Sequence, residues 1–594
     1  MFVDLLNNNK LKQLIKFFLL LIVITILYKC ANIVAPSGGP KDEDPPELIK
    51  SKPEIYCKNY RKKEFELFFN EFIQLKDLQK KLIISPPTKN KPKITNKGKS
   101  LEVIFEDDLK DNTTYTINFA DAIVDNNEGN PIPQFEFVFS TGNEIDSLSV
   151  SGMVIDAYTD SPVEGVYALL YDNLNDSAPL LEVPYYVSKT NELGHFVINN
   201  VKMDTFRVFI LADQNINYKY DIPDEAIGFT DTLVNFSYKE IEITDSITKD
   251  SVVTKIQKGY FTNYFTIFTF TEETKLQYLL NNDRPDRKKL EFTFNRPLYD
   301  SVRIQPVYFA PANNWFIKEK YKHNDTIVFW LTDTAVINND TLNVALYYDV
   351  LDSTDQLVTK IDTVYLRFRD KSQPKRRGKK EETEEENIKK LKITPSVKTN
   401  GKLPLGSDFI IETEHPIKIF DTSKIDLFVK TDTIYSKKPF TIKKHQFYLR
   451  KYILQSNWEE GFNYKLMLEP EAFIDIYDIA NDTIEFTFST PTIDTYGKLY
   501  LNMLGITSPV IIQLLDAKEK VIMQQYTNTD GILTFEYINP SVYKLKLIYD
   551  DNGNKKWDTG NYLNKIQPEH VLYYQGEINI RANWDIEQEW NITK

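Results

Sequence analysis

The sequence predicts an all-β chain of tandem antiparallel sandwiches, and three observations predict it. Aromatic residues make up 13% of the chain, with 35 Tyr and 37 Phe, a composition that suits half-buried pleated strands. Short runs alternate apolar and polar positions, as at Phe65-Leu67-Phe69 and Tyr115-Ile117-Phe119, which is the two-residue period of a strand. Turn residues punctuate these runs, while helix-type apolar spacing and strand-helix alternation are scarce beyond the first thirty residues. A chain of 594 residues exceeds what one core can organise, so several domains are expected.

Net charge is −13, which leaves no basic footprint for nucleic acid. Only two cysteines occur, Cys30 and Cys57, so no disulfide framework holds the chain and stability must come from cores. Cys57 reads as an inert strand residue.

The first thirty residues carry a targeting pattern. Lys10, Lys12 and Lys16 precede an apolar run from Phe17 to Tyr28 that ends at Cys30. A positive segment followed by an apolar stretch too short for a comfortable span is a signal-type arrangement. With Leu27 three before Cys30, the segment resembles a bacterial lipoprotein signal, although Lys29 stands where that motif prefers a small residue. The resemblance implies a signal peptide over 1–29, lipidation of Cys30 and attachment to the outer membrane. An uncleaved N-terminal anchor is the other reading. Residues 30–45, rich in Pro, Gly and charge, read as a flexible tether. Its acidic cluster Asp42-Glu43-Asp44 resembles the surface-export signal of Bacteroidota lipoproteins, which implies the cell surface rather than the periplasmic face.

Residues 46–142 contain FFNEFIQLKDL, LIISPP, NTTYTINFADAIVDNNEGNP and FEFVFSTG, preceded by PSGGPKDEDPP. This order resembles the bacterial Ig-like domain of Bacteroidota outer-membrane lipoproteins, which implies a sandwich without enzymatic activity. Residues 147–235 resemble a carboxypeptidase-regulatory-like, transthyretin-like sandwich, through LSVSGMVIDAYTDSPVEGVYALLYD and the strand marked by Gly194, Phe196, Ile198, Asn200 and Val201. Residues 236–370 form a third sandwich of Ig-like pattern. The run 371–387, KSQPKRRGKKEETEEEN, has nothing apolar to bury and reads as a charged linker; a partner-docking element is the sharper reading. The Ig-like pattern returns over 388–490, and 493–594 echoes the second domain.

That echo is the strongest internal signal. Gly194 to Asp213, GHFVINNVKMDTFRVFILAD, matches Gly531 to Asp550, GILTFEYINPSVYKLKLIYD, with glycine and aspartate at identical spacing. The chain thus repeats an Ig-like/transthyretin-like pair, with one further Ig-like domain between. The match runs on into a polar loop. Asp213, Asn215, Asn217 and Asp221 occupy positions one, three, five and nine, as do Asp550, Asn552, Asn554 and Asp558. Oxygen-bearing side chains on alternate residues can wrap calcium. The pattern lacks the EF-hand glycine and its twelfth-position Glu (Asp224 and Asn561 stand there), and Asx turns in a hairpin explain the same residues. Both readings stay open at this point.

Other chemistry is thin. The five histidines, His195, His323, His415, His445 and His570, have no metal-ligand spacing. No phosphate loop, nucleophile elbow or Ser/His/Asp order is present, and no catalytic residue is assigned. Asp followed by Ser or Thr and an aliphatic residue recurs at Ser147, Thr326, Thr341, Thr363, Thr433 and Thr483. It resembles the O-glycosylation sequon of Bacteroidota envelope proteins; Asp-Thr at strand starts is the alternative. The late aromatics Trp557, Tyr562, Tyr573, Tyr574, Trp584 and Trp590 either form a glycan- or protein-contact surface or pack on a sandwich face. The expectation is a non-enzymatic lipoprotein subunit, accessory to an outer-membrane β-barrel complex. A surface lipoprotein that binds carbohydrate or matrix is the alternative.

Overall fold

A computed structural model describes residues 42–248, 251–300, 302–321, 323–352, 354–369 and 390–593. Cys30, the expected signal peptide and the charged run 371–387 lie outside the described residues. The regular structure of the described chain is almost wholly strand, grouped into five main sandwich cores. The expected fold class is the observed one.

In the first sandwich a four-stranded sheet, Leu48–Lys52, Glu64–Phe69, Ser100–Ile104 and Lys93–Asn96, faces a three-stranded sheet. Alternation does the sorting: Phe65, Leu67 and Phe69 are buried while Glu64 stays exposed. Phe65 stacks on Phe137 at 4.2 Å and Tyr115 on Phe139 at 5.5 Å, which fills the space between sheets with rings. Cys57 sits in a bridge beside Phe139, half-buried, and burial pushes its thiol up. Such a thiol is inert.

Asp125 closes one end of this sandwich. Burial pushes its carboxyl up, but N–H groups of Gly129, Asn130, Glu128 and Asn127 donate to it and hold it down to about 2. The folded value lies below the unfolded value of about 3.9, so this contribution is complete above about pH 4 and is lost as pH falls toward 2. Asp125→Asn is expected to flatten that acid limb in a thermal melt followed at several pH values. An unchanged limb would assign acid sensitivity elsewhere.

The fourth sandwich repeats the plan. Ile393–Pro395, Phe409–Thr413, Lys451–Gln455 and Thr441–Lys444 form its four-stranded sheet, and Asp475 takes the place of Asp125 at the same turn. The third sandwich pairs a four-stranded with a three-stranded sheet around Phe292, Phe329 and Leu346.

The second and last sandwiches share an uncommon device. In the second, Leu148–Asp156 pairs antiparallel with His195–Val201 and parallel with Phe265–Thr271. In the last, Gly497–Leu504 pairs antiparallel with Gly531–Ile538 and parallel with Asp585–Asn591. The second sandwich therefore draws its final strand from 265–271, about thirty residues beyond the boundary expected at 235. A long hairpin, Ser237–Thr248 with Ser251–Phe261, is inserted before that strand. The insertion hid the strand's partner from a local reading of the sequence.

Candidate functional site

The chain folds back on itself. After Ser541–Tyr549 the last sandwich sends a loop, 550–570, onto the outer face of the second sandwich. Tyr562 is 3% exposed, although it belongs to no strand of the second sandwich. Its ring meets Phe209 at 5.5 Å and Phe229 at 5.3 Å edge to face. Its hydroxyl donates to the Asp176 carbonyl at 2.5 Å, and its N–H donates to Glu272 Oε1 at 2.5 Å. Gln567 donates to the Phe229 carbonyl, Thr559 to that of Thr271, and Lys565 pairs with Asp176 at 2.9 Å. Gly560 is needed for close approach: a Cβ there would lie 2.6 Å from the Phe270 ring and 2.7 Å from the Ile566 carbonyl. These contacts explain the strand Tyr167–Tyr171, buried at every position. One face lines its own core and the other lies under Tyr562.

Lys546 is the charged member of this contact. It is 2% exposed, its Nζ donates to the Tyr158 carbonyl at 2.5 Å, and it lies 3.2 Å from the Tyr158 ring centroid. Burial lowers it to about 8, the direction expected of an ammonium held away from water.

Three further junctions are packed as well. Ser85 Oγ accepts the Val187 N–H, and Asn200 donates to Thr116, joining the first and second sandwiches. A groove of about 1020 Å³ runs along this junction past Leu82, Ile84, Lys91, Pro92, Tyr115 and Tyr218. Third and fourth sandwiches meet through a buried polar network. Arg450 Nε lies 3.2 Å from Glu319 Oε2, Trp330 Nε1 donates to the same oxygen at 2.9 Å, and the Tyr477 hydroxyl donates to the Leu331 carbonyl. His415, against Trp330 and Tyr477, contacts Asp475 at 2.7 Å. Leu405 N–H donates to the Tyr496 hydroxyl between fourth and fifth. The chain itself leads from second to third, contacts join third to fourth and fourth to fifth, and the Tyr562 loop returns from fifth to second, so chain and contacts together close a circuit.

The two Asp/Asn loops are built alike. Asp213 accepts N–H groups of Ile216 and Tyr218, and Asn215 and Asn217 donate their amides to Asp221. Asp550 accepts from Asn554 and Lys555, and Asn552 and Asn554 donate to Asp558. A further residue completes each loop. Glu225, wholly buried, accepts the Gln214 N–H, and Glu569, 7% exposed, accepts the N–H groups of Asp551 and Asp558. Sequence reasoning missed these glutamates because their distances from the leading aspartate differ. A shared signal exists: each follows a proline, in Pro223-Asp224-Glu225 and Pro568-Glu569, just before a strand. Burial, then the charges of Asp558 and Asp550, push the Glu569 carboxyl up against its two backbone donors. Among the described residues no group of three or more His, Cys, Asp and Glu side chains converges as a metal centre. The Asn amides stand between the carboxylates, and Asx turns close the loops.

The remaining sequence candidates fall as follows. Ser147, Thr341, Thr363, Thr433 and Thr483 are exposed and Thr326 is half-buried; all but Thr363 stand at or just before a strand start. Trp590 packs with Tyr574 in the last core, and Trp557 meets Tyr158 at 4.9 Å. Only Trp584 of the six late aromatics is well exposed, at 56%. Among the described residues no helix is long and apolar enough to cross a membrane.

Comparison with known proteins bears on the first sandwich. Residues 42–141 match the family model described as a bacterial Ig-like domain. No curated protein matches the chain. Similar solved structures include BcpA, the major pilin subunit of Bacillus cereus, at 9% identity and TM-score 0.13, covering 75% of this chain and 98% of that one. Another is the T6 backbone pilin of Streptococcus pyogenes, at 9% identity and TM-score 0.13, covering 76% and 98%. A third is native alpha-2-macroglobulin of Escherichia coli over domains MG0-NIE-MG1, at 10% identity and TM-score 0.16, covering 46% and 93%. Scores this low carry no argument.

Proposed function

We propose that this chain is a non-enzymatic, membrane-tethered scaffold of the cell envelope, an outer-membrane lipoprotein on the cell surface that serves as accessory subunit to a β-barrel complex. The observation that supports it is the fold-back of the last sandwich onto the second, which with the packed junctions gathers the sandwiches into one contact surface. Catalytic work would need convergent acid, base or nucleophile groups open to substrate, and among the described residues two pairs that converge, Glu319 with Arg450 and His415 with Asp475, lie buried where sandwiches meet. The glycan-binding alternative has less support, since most late aromatics are packed. The test is purification of the full chain from outer membranes in mild detergent through a C-terminal tag. A stoichiometric barrel protein is expected to co-elute. A chain that elutes alone, and is retained on polysaccharide, would overturn the reading in favour of the alternative.

Within this scaffold we propose that the two Asp/Asn loops take calcium. The Asn oxygens already accept the N–H groups of Asn217, Lys219, Asn554 and Lys556, so calcium would displace the Asn amide groups from Asp221 and Asp558 and take Asp213, Asp221 and Glu225, or Asp550, Asp558 and Glu569, as hard oxygen donors beside those side-chain oxygens. Ligand binding to the folded state alone adds about 2.7 kcal/mol at a hundredfold excess over Kd. Calcium is therefore expected to raise the melting temperature, and Glu569→Gln to reduce the rise. Identical melts in calcium and in chelator would leave the loops as turns alone.

A further inference from the structure

We propose that one end of the first sandwich is a membrane-contact surface that rests on the phosphate-bearing headgroups of the bilayer to which the chain is tethered; this rests on the reading of the chain as membrane-anchored. The chain enters the first sandwich at a defined place. The Asp42 carbonyl accepts the Asn130 amide at 2.9 Å, and Glu47 and Asn70 exchange hydrogen bonds, the Glu47 N–H to Asn70 Oδ1 and the Asn70 N–H to the Glu47 carbonyl. Phe72 lies two residues past Asn70, and its carbonyl accepts the Asn126 N–H. The point of entrance and Phe72 therefore share one end of the sandwich.

That end has the composition of an interfacial anchor. Ile49 is 68% exposed and Phe72 is 59% exposed, and neither packs into the first core. Lysines surround them. Lys99 lies 5.4 Å from the Phe72 ring and Lys52 lies 5.1 Å from the Phe68 ring. Lys50, Lys97 and Lys99, with Ile49 and Phe68, border a shallow hollow of about 390 Å³. The hairpin tip Asn96-Lys97-Gly98-Lys99 carries two of these charges, and Gly98 at φ +88° lets it turn tightly against Phe72. Exposed apolar rings ringed by lysine stems suit the boundary where acyl chains meet phosphates, since the stems lie along apolar surface and the ammonium groups reach the headgroups. In a chain of net charge −13, such a face stands out. The end is divided, however. Glu71, Asp42 and Glu128 crowd one another near Phe72, and Lys97 pairs with Glu102 at 2.6 Å. The division orients the contact, with the hairpin tip toward the phosphates and the acidic flank away from them.

Distance allows it. From Cys30 to Asp42 the chain has twelve residues, at most about 43 Å when fully extended. A sandwich on so short a leash spends its time near the surface, and one adhesive end then fixes its orientation.

The test uses the full chain reconstituted into vesicles of phosphatidylcholine with phosphatidylglycerol. Amine acetylation is followed by mass spectrometry at Lys50, Lys97 and Lys99, against the exposed Lys518 and Lys520 of the last sandwich. The three proximal lysines are expected to react at least about threefold more slowly than in the double variant Ile49→Ser/Phe72→Ser anchored in the same vesicles. Lys97→Glu/Lys99→Glu, which leaves both apolar residues in place, is expected to lose the protection of Lys50 as well. A chain that floats with the vesicles but labels equally in all three forms overturns the contact while leaving the anchor intact. A chain that does not float overturns both.

Discussion

Arg450→Ala is expected to cost about 3–5 kcal/mol, because it strands a buried carboxylate. The Glu319 side chain is 1% exposed, and its charge is met by Arg450 and by one neutral donor, Trp330 Nε1. The guanidinium also donates to the Thr413 carbonyl at 3.0 Å and lies 5.4 Å from the Trp330 ring. Removing it leaves the Glu319 charge with the Trp330 N–H alone and takes a donor from the Thr413 carbonyl and a cation from the Trp330 ring. Urea unfolding measures the loss. A double-mutant cycle identifies its source: Glu319→Gln in the Arg450→Ala background should recover part of the stability, since a neutral amide tolerates the site better. A loss below about 1 kcal/mol would mean that water reaches Glu319, and the contact between third and fourth sandwiches would then be loose.

The second large effect is at the fold-back. Tyr562→Ala removes a ring packed against Phe209 and Phe229 and should cost about 3–5 kcal/mol of the contact between second and last sandwiches. The consequence is a change of shape as well as of stability. Small-angle scattering should report a larger radius of gyration for the variant. Tyr562→Phe keeps the ring and gives up the hydrogen bond to the Asp176 carbonyl, so it should cost only about 1 kcal/mol and leave the shape unchanged. Equal radii for Tyr562→Ala and the parent chain would place the strength of the fold-back in its other contacts.

How much of this was legible in the sequence depended on range. Strand alternation is local, and it located the cores of the first and fourth sandwiches through Phe65-Leu67-Phe69 and the echo of Phe137-Val138-Phe139 in Phe486-Thr487-Phe488. The repeat of Gly194–Asp213 in Gly531–Asp550 was legible because the same strand and turn are needed twice. Phe265–Thr271 was assigned to the wrong sandwich, since an inserted hairpin separates it from its partners and parallel pairing leaves no hairpin signature. The fold-back left no trace at all. Tyr562 and Glu272 are 290 positions apart, and a tyrosine that covers another sandwich reads the same as one that covers its own. The buried glutamates of the two loops were hidden by loops of unequal length, which alternate spacing cannot register.

The closed circuit changes how the chain would bear a load. Sandwiches joined only end to end pass tension through each linker in series. Here a pull between the N-terminal tether and the last sandwich runs from the second sandwich directly across the Tyr562 clasp. The third and fourth sandwiches lie on the longer arm of the loop, and the shorter arm through the clasp shields them from force while it holds. When it parts, the stretch from Glu272 to Tyr562 enters the path at once as released slack, with its sandwiches still folded. The clasp is thus a mechanical fuse, set at the strength of a few rings and hydrogen bonds, which yields in extension before any core is drawn apart.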